Sequence, residues 1–354
     1  MIITRYLCRQ ILSTTLAITL VLLVVVMLGR LLNYLAEASQ GELDPDLLVQ
    51  VLSYRLPDFL QLILPLAMLL GILLALGRLY ADSEMTVLAA TGFSPRKLLG
   101  ITLVASALVT VIVASLSLML APLGSRKVSE LLEEQQNFSE FDLMVPGLFQ
   151  NISGGERTTY AEQIVDGEMQ QVFVHDAVNN RVIMADSAVP IKGEDGGRFV
   201  LFRHGTLAQG MSSGKEYEVT RFDELGLRLA PRNVGISPEV EEKTMSNDEL
   251  RAVGGPAQLA ELQWRWSLIV LVPLLAVLAV PLSRVSPRQG RFAKLVPAIV
   301  LYMLYLGLLL LSRDAIADAR LSPVPGLWWV HGVFAVLGFM LFTGRMSARL
   351  VSRG

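Results

Sequence analysis

Charged residues are absent from six stretches of the chain, each long enough to cross a lipid bilayer. They run Gln10–Gly29, Phe59–Gly77, Leu98–Ser125, Trp266–Ser283, Leu295–Ser312 and Leu321–Gly344. A helix rising about 1.5 Å per residue needs about 20 apolar residues to cross about 30 Å of hydrocarbon, so the pattern predicts six transmembrane helices. Between the third and fourth stretch lies a polar segment of 140 residues, Arg126–Arg265. The predicted fold is a membrane all-α six-helix bundle (3+3) with an inserted extracytoplasmic β-domain, divided as 1–125, 126–265 and 266–354. Ala36-Glu37-Ala38 before Ser39 has the small-x-small look of a signal-peptide cleavage site, but the preceding apolar run is too long for a signal core. The first stretch is therefore read as a retained span.

Inside the polar segment the period changes. Gln171–Val174, Arg181–Ala185 and Phe199–Arg203 are short β-rich runs, and Asn151–Gly155, Asn179-Asn180, Gly193–Gly197 and Ser212–Gly214 supply turns between runs of this kind. Many short strands at such spacing predict an antiparallel sandwich or jelly roll. Its open edges would be covered either by another chain or by the domain itself. Leu131–Asn137 reads as a polar helical extension of the third span, and Pro231–Pro256, rich in Pro, Glu, Asn and Gly, as a flexible connector back to the membrane.

Basic residues give the orientation. One set of short segments carries Arg5, Arg9, Arg78, Arg96, Lys97, Arg284, Arg288, Arg291, Lys294, Arg345, Arg349 and Arg353, whereas the opposite set carries only Arg30, Arg55, Arg313 and Arg320. Positive residues in short loops stay on the cytoplasmic side, which predicts cytoplasmic termini and an external polar segment.

The loop Arg78–Lys97 is more than a connector. Asp82 or Ser83 can cap a helix, Glu84 suits its first turn, Gly92 offers a stop and Pro95 prevents resumption, so a short helix over Ser83–Thr91 is predicted. Met85, Leu88 and Ala89 share one face of it. A helix with an acid and no Lys or Arg is a poor ligand for anionic headgroups, which favours a protein partner. The second loop, Arg284–Lys294, holds four basic residues that the orientation rule already explains.

Composition narrows the classes. At 53% hydrophobic and 18% charged residues the chain is too apolar to be soluble in water. The net charge of −2 conceals a split, since Arg126–Arg265 holds 14 basic and 23 acidic residues and nothing in it suggests nucleic acid. Cys8 is the single cysteine, and His175, His204 and His331 lack ligand spacing, so no disulfide and no metal site is expected. Ile152-Ser153-Gly154-Gly155-Glu156-Arg157 resembles an ATPase signature, but no phosphate loop accompanies it, and it reads as a hairpin turn. No Asp, Glu or Lys lies inside a stretch, which disfavours ion-coupled transport. Ala67, Gly71 and Ala75 follow a small-xxx-small spacing that lets helices approach closely.

The order of features is more specific than any one of them. Ile2-Ile3-Thr4-Arg5-Tyr6-Leu7, Leu64-Pro65-Leu66, Gly77-Arg78-Leu79-Tyr80 with Ser83-Glu84-Met85-Thr86-Val87 and Gly92, and Pro287-Arg288-Gln289-Gly290-Arg291 resemble the LptF/LptG family of lipopolysaccharide transport permeases. The Arg-Gln-Gly loop is closer to the LptF branch. The resemblance covers essentially the whole chain and implies a non-catalytic permease subunit in the bacterial inner membrane. It implies a β-jelly-roll periplasmic domain, a sibling permease (LptG-like), a dimeric ABC ATPase (LptB-like) that binds ATP-Mg, and a periplasmic jelly-roll protein (LptC-like or LptA-like) that receives lipopolysaccharide. It assigns ATPase coupling to Glu84 and its helix, including Ser83, Met85 and Leu88. Arg30, at the external end of the first span, is either a contact to lipopolysaccharide phosphates or a snorkelling anchor; Asn33 departs from the basic residue expected nearby. The competing reading is a membrane receptor or assembly factor with no ATPase. A permease for lipoprotein release fits poorly, because such chains carry four spans.

Overall fold

The computed structural model describes residues 2–39, 45–136, 145–152, 157–165, 167–192, 198–210, 217–228, 238–284 and 294–351. The chain forms two compact units, one of Met1–Leu28, Ser53–Val128 and Ser237–Gly354, the other of Gly29–Leu52 and Ser129–Ile236.

The first unit is helical, and some of its helices run on into the stretches of chain assigned to the second. Helix α1 (Ile2–Ser39) is followed by α2 (Leu48–Ala81), a short α3 (Glu84–Ala90), and α4 (Pro95–Ser115). A five-residue π turn, Leu116–Leu120, joins α4 to α5 (Ala121–Gln136), so the helical extension expected after the third stretch is present. Among the described residues, five helices are long and apolar enough to cross a membrane: Ile2–Ala36, Leu48–Ala81, Pro95–Leu132, Pro256–Leu282 and Leu295–Ala317. The sixth expected span is shorter than read. Pro323 and Pro325 lie in the turn before it, and apolar helix runs only over Trp328–Gly344.

Helix–helix packing follows the sequence pattern. Ala67 and Ala75 are buried, and a Cβ at Gly71 would overlap the backbone and Oγ1 of Thr15, so α1 crosses α2 at glycine. The helix α8 (Pro256–Leu282) is the most enclosed, packed against α4, α9 (Leu295–Ala317) and α10 (Trp328–Val351). Between α9 and α10, Tyr305 stacks on Phe334 at 3.8 Å between ring centres, and its hydroxyl shares a 2.7 Å hydrogen bond with His331 Nδ1.

Two short helices replace part of the expected flexible connector. These are α6 (Pro238–Thr244) and α7 (Asn247–Val253), the second opened by a capping box in which Ser246 and Glu249 satisfy each other's backbone N–H groups. The connector Pro231–Pro256 thus reads as polar linker in composition, yet at Ser246 it carries a helix start signal.

The second unit holds a six-stranded antiparallel sheet in the order β1 (Gln150–Ile152), β2 (Arg157–Val165), β3 (Glu168–Asp176), β4 (Arg181–Lys192), β5 (Arg198–Gly210), β6 (Tyr217–Arg228). The described strands therefore form a meander, and the two interleaved Greek keys of a jelly roll are not among them. The expected hairpin at Ile152–Arg157 is flanked by paired strands, with Ile152 opposite Arg157; residues 153–156, like the turns at 193–197 and 212–214, lie outside the described residues.

The sheet carries a crease. Glu162, Gln171, Asp186, His204 and Asp223 stand opposite one another in the register of successive strands, and the ladder skips each of them. Gln171 and His204 have φ of 50°. Core-facing residues change parity across this line: Ala161 then Ile164 on β2, Val172 then Met169 on β3, Ala185 then Ala188 on β4, Phe202 then Leu207 on β5, Phe222 then Leu225 on β6. One residue per strand is thus out of phase, as in a bulge, and the sheet keeps one apolar face through the bend. Gly205 sits beside the line because a Cβ there would overlap the Met184 carbonyl and the Phe222 ring.

Candidate functional site

The predicted helix between the second and third spans exists as α3. Its start differs from expectation: Ser83 precedes it in the left-handed region (φ 60°), and no side chain caps it. Neither expected cap serves: Asp82 pairs with Arg78 instead, Nε to Oδ2 3.4 Å, and Ser83 lacks the extended backbone from which a capping hydroxyl reaches the first turn. At the other end Gly92 takes φ 85°, and Ser94 accepts a hydrogen bond from the Lys97 N–H to open α4, with Pro95 as its first residue.

The candidate residues divide between two faces. Met85 is 6% exposed and joins the helical core, and Leu88 packs against that core. Glu84 is half-buried and accepts a 3.1 Å hydrogen bond from the Tyr6 hydroxyl of α1. Thr86, Val87, Ala89 and Ala90 are exposed, Val87 to 64%. Of the three residues expected to share one face, Met85 and Leu88 meet the core and Ala89 is exposed. The helix is anchored by one side and offers a small, mostly apolar surface on the other.

Arg30 is exposed on α1. The basic motif Pro287–Arg291 lies outside the described residues.

Sequence reasoning missed a buried charge cluster at the end of the bundle remote from α3 along α4. Glu261 and Arg265, four residues apart on α8, bond at 3.0 Å, and Arg313 of α9 places Nη2 3.0 Å from the other Glu261 oxygen, close enough for a charge pair though not aligned as a hydrogen bond. Arg265 also donates to Asn247 Oδ1 (2.9 Å) and to the carbonyls of Glu242 (3.2 Å), Lys243 (3.3 Å) and Met245 (3.0 Å). One guanidinium thus closes the end of α6 and ties it to α8. The Glu-xxx-Arg spacing was visible, but its place just before an apolar stretch made it look like a boundary charge.

In the sheet, Asp176 gathers the β3–β4 turn. It accepts from the Asn179 N–H (3.0 Å) and side-chain amide (2.9 Å) and from Arg181 Nη2 (2.8 Å), with Arg157 at 3.5 Å. Burial pushes its carboxyl up, but the Asn179 hydrogen bonds and the Arg181 guanidinium outweigh this and hold it down at about 2.

Comparison with known proteins gives a consistent result. The family model described as lipopolysaccharide export system permease LptF/LptG matches residues 5–344. The lipopolysaccharide export system permease protein LptF of Escherichia coli K12 is 31% identical over 351 residues, covering 96% of this chain and 94% of that protein. The LptF protein of Shigella flexneri matches to the same extent.

Proposed function

Because the chain belongs to the LptF/LptG family of lipopolysaccharide export system permeases, we propose that it is one half of the membrane portion of an ATP-driven extractor. In this reading it pairs with a sibling permease in the bacterial inner membrane and takes lipopolysaccharide from that membrane. The cargo passes to a periplasmic jelly-roll bridge. Six helices span the bilayer, with both termini in the cytoplasm and the sheet unit in the periplasm. Hydrolysis of ATP-Mg belongs to a dimeric ABC ATPase docked from the cytoplasm, and this chain is the transport component.

The observation that supports the coupling step is α3, anchored by Met85 and presenting Val87 outward. A short helix fixed to the bundle on one side transmits a push or pull from whatever grips its other side. Closure of the ATPase dimer would move α3 with α2 and α4 and so favour one of two bundle states, provided the grip differs between them. Glu84 has two functions in this scheme, a charge for the ATPase and an acceptor for Tyr6, which links α3 to α1. Arg30 is proposed as a contact for lipopolysaccharide phosphate, an anion that a guanidinium fork suits.

The test is purification of the tagged chain in mild detergent, with mass spectrometry of what accompanies it. A sibling permease, an ABC ATPase and lipopolysaccharide should be recovered together, and Glu84→Ala should lower ATPase recovery or export. Recovery of intact membrane complexes without any ATPase would overturn the reading.

A further inference from the structure

The π turn Leu116–Leu120 is tied down by its neighbours. Ser117 Oγ donates to the Arg265 carbonyl at 3.1 Å, and the Asn247 amide donates to the Leu118 carbonyl at 2.8 Å. Asn247 in turn accepts from Arg265, so the turn, α7 and α8 are held by one side-chain network. Between them opens a groove of about 430 Å³, within the range of small-molecule sites.

Its walls differ in chemistry. Met119, Leu123 and Trp266 are exposed and form an apolar side. Arg126 and Arg251 line the other, with Asp248 the one acid among the lining residues. Arg251 Nη1 stands 3.6 Å from Asp248 Oδ1, but both side chains are exposed, and water-screened pairs of this kind hold their partners weakly.

The change from apolar to basic occurs within one turn of α5, from Leu123 to Arg126. It falls in the first turns of α5, just past the charge-free run Leu98–Ser125, and the helix that contains both is apolar enough for the bilayer interior. Trp266 sits at the same level, and tryptophan is the residue type enriched where hydrocarbon meets headgroups. A molecule apolar below this level and anionic at it is a lipid with a phosphate headgroup. We propose that the groove binds an anionic glycerophospholipid of the surrounding membrane, with its phosphate between Arg126 and Arg251 and the start of an acyl chain along Met119, Leu123 and Trp266. Two guanidiniums offer the forked donors that phosphate oxygens accept best. Such a lipid braces α7 against the π turn. The proposal depends on membrane embedding and not on ATPase coupling.

The test uses the full chain with the subunits that accompany it, placed in phosphatidylcholine nanodiscs containing a minor fraction of phosphatidylglycerol. Native mass spectrometry after release reads the phosphatidylglycerol retained. Arg126→Ala with Arg251→Ala should cut retention by about tenfold or more, the loss of two charge-assisted contacts. Arg126→Lys with Arg251→Lys should retain most of it, which separates loss of the site from loss of the fold. A photo-crosslinker at Met119 should label phosphatidylglycerol. Unchanged retention in the alanine pair, lipopolysaccharide in place of phosphatidylglycerol as the species lost, or a protein chain captured at Met119 would each overturn the proposal.

Discussion

Arg265→Ala tests whether one side chain clasps the connector helices to the bundle. Arg265 is 2% exposed and Glu261 5% exposed, so removing the guanidinium leaves a carboxylate out of water with the misaligned Arg313 and the weaker charge of Lys243 to balance it. It also strips three carbonyls at the end of α6 of their donor. Truncating one member of a buried ion pair costs about 3–5 kcal/mol, a range that already includes the stranded partner. At about 1.4 kcal/mol per factor of ten, local opening of α6–α7 should become more populated by at least about a hundredfold. Trypsin cleavage after Lys243 in nanodiscs reads that population when closing outpaces cleavage. Arg265→Lys should fall between, because an ammonium has three donors for five acceptors. Combined with Glu261→Met, the Arg265→Met loss should be non-additive by about 1–3 kcal/mol. Cleavage of Arg265→Ala within about threefold of the parent chain would refute the clasp.

Other outcomes follow from the packing. Asp176→Asn should cost about 2 kcal/mol near neutrality, read by hydrogen exchange of β3 and β4. The folded carboxyl titrates at about 2 and the unfolded one at about 3.9, so its stabilisation is complete above the higher value and fades as pH falls towards the lower. The variant should lose that acid dependence, and an unchanged profile would remove Asp176 from the account. Gly205→Ala should destabilise the sheet by about 1–3 kcal/mol, because the overlapping Met184 carbonyl is backbone and cannot swing away; parent-like protection of β4 and β5 would refute this. Gly71→Val should separate α1 from α2 and lower the melting midpoint in detergent, and an unchanged midpoint would show that the crossing tolerates a side chain.

Much of the membrane unit was legible because lipid imposes long, charge-free runs that need no tertiary information. The small-residue row on α2 and the short helix α3 were equally local signals. What escaped depended on distance. Glu261 and Arg265 could be paired from spacing, but Arg313 and the α6 carbonyls reach them only through the fold. The sheet topology escaped for another reason. The sandwich or jelly roll was read from the number and spacing of short β-rich runs, which a meander shares, and the crease that changes the parity of inward residues on five strands leaves no single alternating phase from which the strand order could be traced. Capping at Ser83 was misread because a left-handed backbone, invisible in the residue type, decides where a hydroxyl points.

The π turn also fixes an azimuth. A turn closed by i→i+5 bonds takes one more residue round than an α turn does, so the extra residue is absorbed at Leu116–Leu120 and does not advance the side chains after it by the roughly 100° it would add in an α-helix. The face that α5 presents, including Arg126, therefore depends on this turn staying wide. Tightening it to α geometry at unchanged length would turn α5 by about 100° with every helix intact, whereas deleting one residue would let the turn close as α and leave Arg126 facing nearly as it does now. The width of one turn holds the rotation of the helix that follows.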